Sequence, residues 1–252
     1  MARAFSKILT ADTQDVLAGS KVGILGDAPS YDVEVRVAAY DTMAPTTEAN
    51  AGIVNLTAHD TILQNCRTFI ANQGGNGEPR SDGPLVTFNA PGGTRLTLNL
   101  DASSDEMTET SVYVEVRENS APSVGTPTKA HLGRVAVGAN ATVADVLAGL
   151  IVAQVPSDGT YEVSLMLSSD QGDGLQATLL VDTDTVAENF EVPFRAESLG
   201  PAATERDQFG VQDRDTVITT LASANSILTL NFNNTSATAR QVRFHVNVER
   251  VA

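Results

Sequence analysis

The pentapeptide Asp15-Val16-Leu17-Ala18-Gly19 returns letter for letter as Asp145-Val146-Leu147-Ala148-Gly149, a shift of 130 residues. At the same shift Tyr31 meets Tyr161 and Val33 meets Val163. Near the end of each half, Leu96-Thr97-Leu98-Asn99 returns as Leu228-Thr229-Leu230-Asn231, now shifted by 132, and Val114 and Val116 fall on Val246 and Val248. Matches in one order and at nearly one offset predict two like domains arising from internal duplication. The 252 residues divide accordingly: 1–118 as a first domain, 119–130 as a linker and 131–252 as a second. About 120 residues suffice for a self-contained core. The stretch NSAPSVGTPTKA carries Pro122, Gly125 and Pro127 and has no hydrophobic period, which is why the boundary is placed there.

The local pattern is β in both halves. Tyr31-Asp32-Val33-Glu34-Val35-Arg36-Val37 alternates apolar with polar, and so do Val112 to Arg117 and Phe244 to Glu249. Period-two alternation sends one set of side chains to a core and the other to water. Further strands are expected over 22–25, 53–58, 61–70, 85–88 and 95–100, and over 151–155, 161–167, 177–181, 190–194, 216–220 and 227–232. Turn clusters such as Ala90-Pro91-Gly92-Gly93 and Asn233-Asn234-Thr235-Ser236 separate them. The expected fold is all-β, two tandem antiparallel β-sandwiches. Seven strands per half favour an Ig-like sandwich and eight a jelly roll. Thr142 to Ile151 is the best candidate for a short helix, capped by Thr142 and ended by Gly149, with a counterpart from Thr10 to Gly19; the same letters also suit a first strand.

Composition excludes several functions. Formal charge is −15, with 31 acidic residues against 16 basic ones and three lysines, so phosphate backbones are repelled and no nucleic-acid partner is expected. No apolar run reaches the length of a membrane span, and MARAFSKILTADTQ holds no signal-peptide core, so neither membrane insertion nor leader-directed export is expected. The single cysteine, Cys66, rules out an intrachain disulfide and sits in an apolar stretch, as a buried structural thiol would.

Catalytic and metal chemistry is sparse. His59, His131 and His245 have no metal-ligand spacing, and no GxSxG elbow, Walker loop or dinucleotide fingerprint occurs. No catalytic, cofactor-binding or metal residues are assigned, and the chain is expected not to be an enzyme. Two acidic stretches, Ser169 to Gly174 and Asp182-x-Asp184-x-x-x-Glu188, offer oxygen ligands of the kind calcium takes, although turns use the same residues. A carboxylate pair for glycoside hydrolysis is conceivable, yet the chain has no Trp to form a sugar platform. Arg3, Phe5, Lys7 and Ile8 place positive and apolar groups at the front of an acidic chain, which reads either as an assembly arm docking on an acidic neighbour or as an ordinary first strand. The halves differ most over 71–83 and 196–214, the loops best suited to separate roles.

The strand–turn–strand endings, Leu96-Thr97-Leu98-Asn99-Leu100 through Val116 and Leu228-Thr229-Leu230-Asn231-Phe232 through Val248, resemble those of virion structural proteins with tandem Ig-like or jelly-roll sandwiches. The resemblance lies in architecture and implies a capsid, decoration or spike component that packs against copies of itself and other capsid proteins, as a homo-oligomer in the virion. It carries over no functional residues. A cell-surface or secreted adhesin or carbohydrate-binding module is the alternative.

Overall fold

A computed structural model describes residues 2–40, 53–70, 84–101, 109–123, 128–169, 174–193 and 216–251. Sixteen strands and no helix are found among them: β1 (Ala2–Leu9), β2 (Ser30–Tyr40), β3 (Ile53–Ala58), β4 (Asp60–Arg67), β5 (Phe69–Ile70), β6 (Val86–Pro91), β7 (Leu96–Asp101), β8 (Glu109–Asn119), β9 (Lys129–Val137), β10 (Ala141–Val143), β11 (Thr160–Ser169), β12 (Leu175–Val181), β13 (Asp184–Glu191), β14 (Thr216–Ser223), β15 (Leu228–Asn234) and β16 (Arg240–Arg250). The described residues fall into two compact units, the first ending at Ala130 and the second beginning at His131. β8 runs to Asn119 and β9 starts at Lys129, both inside the stretch read as a linker.

In the second unit the strands lie in the orders β14-β11-β16-β9 and β10-β15-β12-β13. Counted along the chain, the first strand pairs with the eighth, the second with the seventh, the third with the sixth and the fourth with the fifth. That is one long antiparallel hairpin rolled into two sheets, the jelly-roll order. The alternation of Leu228-Thr229-Leu230-Asn231-Phe232 turns Leu228, Leu230 and Phe232 inward, where they meet Val163, Leu165, Leu175, Leu179 and Val246 in one buried cluster. At roughly 1.5–3 kcal/mol for each fully buried side chain of this size, the cluster is the main source of the unit's stability.

The first unit repeats this plan. β8 lies between β1 and β2, β2 continues to β6, and β3 lies between β4 and β7. The place of the short second strand is taken by a single bridge, Thr13 to Leu100. The first unit also carries β5, which runs parallel to β2 at Ala38 and Ala39. The open choice between Ig-like and jelly-roll sandwiches therefore resolves to the jelly roll.

Three sequence expectations are corrected. No helix forms after Thr142. Asp145 takes φ +45°, and consecutive turns follow in which Ala148 N–H donates to Asp145 O, Leu150 N–H to Leu147 O and Ala153 N–H to Leu150 O. A residue in the left-handed region cannot start a right-handed helix, and the turns spend the carbonyls a helix would use one residue later. Residues 22–25 and 151–155 are not strands but loops touching their sheets at single bridges, Ile24 to Arg95 and Gln154 to Ile227. The strand expected over 190–194 lies instead at Asp184–Glu191, offset by bulges against β12.

Candidate functional site

The repeated pentapeptides form the same local structure in both units. Asp15 and Asp145 each adopt φ +45°, and Gly19 and Gly149 take φ +72° and +78°, a region that costs glycine nothing. Asp15 N–H donates to Asn99 Oδ1 at 2.8 Å, and Asp145 N–H donates to Asn231 Oδ1 at 2.8 Å. Val16 N–H reaches Leu98 O at 2.7 Å, as Val146 N–H reaches Leu230 O at 2.9 Å. The two repeated words are thus the two halves of one contact. Sequence reading did not assign this role to Asn99 and Asn231, although their recurrence beside identical leucines was the available signal.

The carboxylates of this loop differ between units. Asp15 Oδ2 accepts from Arg95 Nη2 at 2.7 Å. Counting from the paired bridges, the place of Arg95 in the second unit is taken by Ile227, which is largely exposed. Here Asp182, at φ +57°, accepts from Ile227 N–H through Oδ1 and donates its own N–H to Ile227 O. Asp182 is accordingly turn chemistry. Among the described residues no group of three His, Cys, Asp or Glu side chains could hold a metal ion. Most of the loop from Ser169 to Gly174, and the whole of 71–83 and 196–214, lie outside the described residues.

The four residues of the assembly-arm reading form part of β1, which pairs with β8 from Ala2 to Leu9. Arg3, Phe5 and Lys7 sit opposite Val116, Val114 and Val112, whereas Ile8 sits opposite Ser111, so the four divide between two faces of the strand. Arg3 Nη1 donates to Lys21 O at 3.3 Å, and Lys7 is exposed. The histidines are scattered. His59 occupies the β3–β4 turn at φ +76°, and His131 and His245 are buried in β9 and β16, His131 facing the Phe244 ring at 5.9 Å. Cys66 is buried in β4.

The outward faces of the two large sheets are unlike. In the first unit, Asp32 lies opposite Asn89 on one side and Arg117 on the other. Asn89 Nδ2 donates to Asp32 Oδ1 at 2.9 Å, and Arg36 bonds Glu34 along the same strand. On β8, Arg117 Nε donates to Glu115 Oε1 at 2.7 Å and Tyr113 Oη to Glu115 Oε2 at 3.0 Å. The Arg117 bond holds the Glu115 carboxyl below its ordinary range against slight desolvation, and the Tyr113 bond helps. Burial and the bond to Glu115 push the Tyr113 phenol up. In the second unit the same register sets Leu221, Glu162 and Glu249 abreast. Burial, and then the Glu162 charge, push the Glu249 carboxyl up.

No protein-family model and no curated protein matches the sequence. Among solved structures the chain has a weak, architecture-level likeness to that of infectious bursal disease virus, Gt strain, at 12% identity over all of this chain and 75% of that one, with a TM-score of 0.20. The subviral particle of VP2 from infectious bursal disease virus matches at 11% identity over all of this chain and 81% of that one, with a TM-score of 0.17. No helix among the described residues is long and apolar enough to cross a membrane.

Proposed function

We propose that this chain is a non-enzymatic structural protein of a virus particle, a capsid, decoration or spike component that acts by packing against copies of itself and other capsid proteins. The observation that supports the reading most is the presence of two jelly-roll units in one chain, alike in strand order and in their loop-to-strand bonds. Jelly rolls serve in viral shells, lectins and cupins. A lectin or a cupin places ligand chemistry on its sheets or loops, and the recurring polar features here are spent on turns and on the fold's own backbone. Shell building needs interface area and complementarity, with no cofactor. The acidity suits a surface turned away from packaged nucleic acid.

Mass spectrometry of purified particles tests this reading. The chain is expected at a copy number stoichiometric with the shell. Recovery only as a soluble monomer, absent from every particle fraction, would overturn it. Binding to a carbohydrate panel, lost on changing loop residues, would favour the adhesin-like alternative instead.

A further inference from the structure

Resting on the self-assembly reading, we propose that the outward sheet face at Glu162, Glu249 and Leu221 of one copy docks onto Lys7 and Lys21 of a second copy of this chain. The large sheets of the two units match row by row, and the rows at Asp32 and Glu162 differ in charge. In the first unit the row across β6, β2 and β8 reads Asn89, Asp32, Arg117, an amide and a cation flanking a carboxylate. Asn119 Nδ2 adds a bond to the same carboxylate at 3.3 Å. In the second unit the equivalent row across β14, β11 and β16 reads Leu221, Glu162, Glu249. Like charges directly opposite on paired strands destabilise a sheet. The scaffold does not demand them, since the first unit builds the same row with opposite charges.

Both glutamates are exposed overall, Glu249 with its carboxyl half-buried, and Leu221 beside them is 63% exposed. Val251, just past the end of β16, is 53% exposed. An isolated exposed leucine is ordinary. A leucine abreast of two unmatched carboxylates is a small apolar patch with a charge requirement.

Among the described residues, the cations that could meet the requirement are few. Arg36, Arg95, Arg117 and Arg250 are each tied to a carboxylate of their own unit. Lys7 and Lys21 are exposed, and their ammonium groups make no hydrogen bond or ion pair among the described residues. Both lie on the β1 side of the first unit: Arg3, on the same strand face as Lys7 and four residues before it, donates to the carbonyl of Lys21. Among the described residues, Lys7 and Lys21 of the first unit are thus unmatched cations, and Glu162 and Glu249 of the second are a facing pair of unmatched carboxylates. Between copies they complement each other, in a head-to-tail contact that propagates into a ring or a sheet of subunits. Exposed pairs contribute little affinity singly. Their role here is to fix which faces meet and in what orientation. Burial, and then the Glu162 charge, push the Glu249 carboxyl up, and a cation seated over the row offsets the second of these.

Zero-length carbodiimide coupling tests the contact, applied to an equimolar mixture of unlabelled and 15N-labelled chain. Peptides joining Lys7 or Lys21 to Glu162 or Glu249 are expected as mixed-isotope pairs, which only different copies can give. The Glu162→Gln/Glu249→Gln variant should lose those pairs and associate on the order of tenfold more weakly by sedimentation. The Lys7→Glu/Lys21→Glu variant should do the same, and adding Glu162→Lys/Glu249→Lys to it should restore association. Oligomers that persist without mixed-isotope pairs, or with pairs only inside one copy, would sink the docking while leaving self-assembly standing. A chain that stays monomeric at every concentration would sink both.

Discussion

Asn99 and Asn231 each accept a backbone N–H from an aspartate at the same left-handed dihedral. Removing the acceptor leaves a partly buried donor unpaired, which costs about 1–3 kcal/mol. Asn99→Ala and Asn231→Ala should therefore each lower stability by about that much in chemical denaturation, each within its own unit. Loss confined to one of the two would show that the matching bonds are not matched in weight. At this scale the sequence was half legible. Repetition marked both words, yet nothing in the letters said that the aspartate amide and the asparagine side chain meet across more than eighty residues. That meeting is a property of strand order.

Strands announced by strict alternation were legible because one face meets a core and the other water, as in β2 and β8; β16 alternates in sequence too, although Arg243 and His245 on its other face are also buried. β9 was not, because Lys129, His131 and Arg134 interrupt its apolar residues while its burial depends on what packs on both faces. β13 was misplaced because bulges against β12 break its period. β1 is an edge strand paired with β8 along its length. Deleting residues 2–9 should destabilise the first unit, seen as faster amide exchange along β8, since that deletion strips one edge of β8 of its partner. Exchange unchanged from the full chain would mean that β1 contributes no protection.

The same scale carries a pH effect. Glu249 binds its proton more tightly in the folded than in the unfolded chain, mainly through burial and then through Glu162 on β11. Its contribution is fully favourable below the ordinary carboxylate range and is lost as pH rises through the raised value. Ionised Glu249 is thus a net cost to the free chain in neutral solution. Glu249→Gln should raise Tm at about pH 7 and leave it nearly unchanged at about pH 4. A gain of equal size at both would rule out titration as the cause.

For the whole molecule the formal charge of −15 sets the terms of association. Copies repel at long range, and salt shortens that range from about 30 Å near 0.01 M to about 8 Å near 0.15 M. The protein concentration needed for assembly, followed by light scattering, should fall between those conditions. A threshold that rises instead would mean that attraction between surface charges outweighs the repulsion of the whole.

In each unit the first strand lies beside the last: Arg3 opposite Val116 at the start of the chain, and β9 beside β16 at its end. During synthesis β1 leaves the ribosome long before β8 exists to receive it. The first sheet cannot close until the chain has been made as far as β8, and the inward valines of β2 wait unsealed in the meantime. Contacts so distant along the chain make folding slow. They also leave nascent chains prone to sticking to one another. Yield in a cell is then governed by chaperone supply and translation rate as much as by the stability of the finished fold.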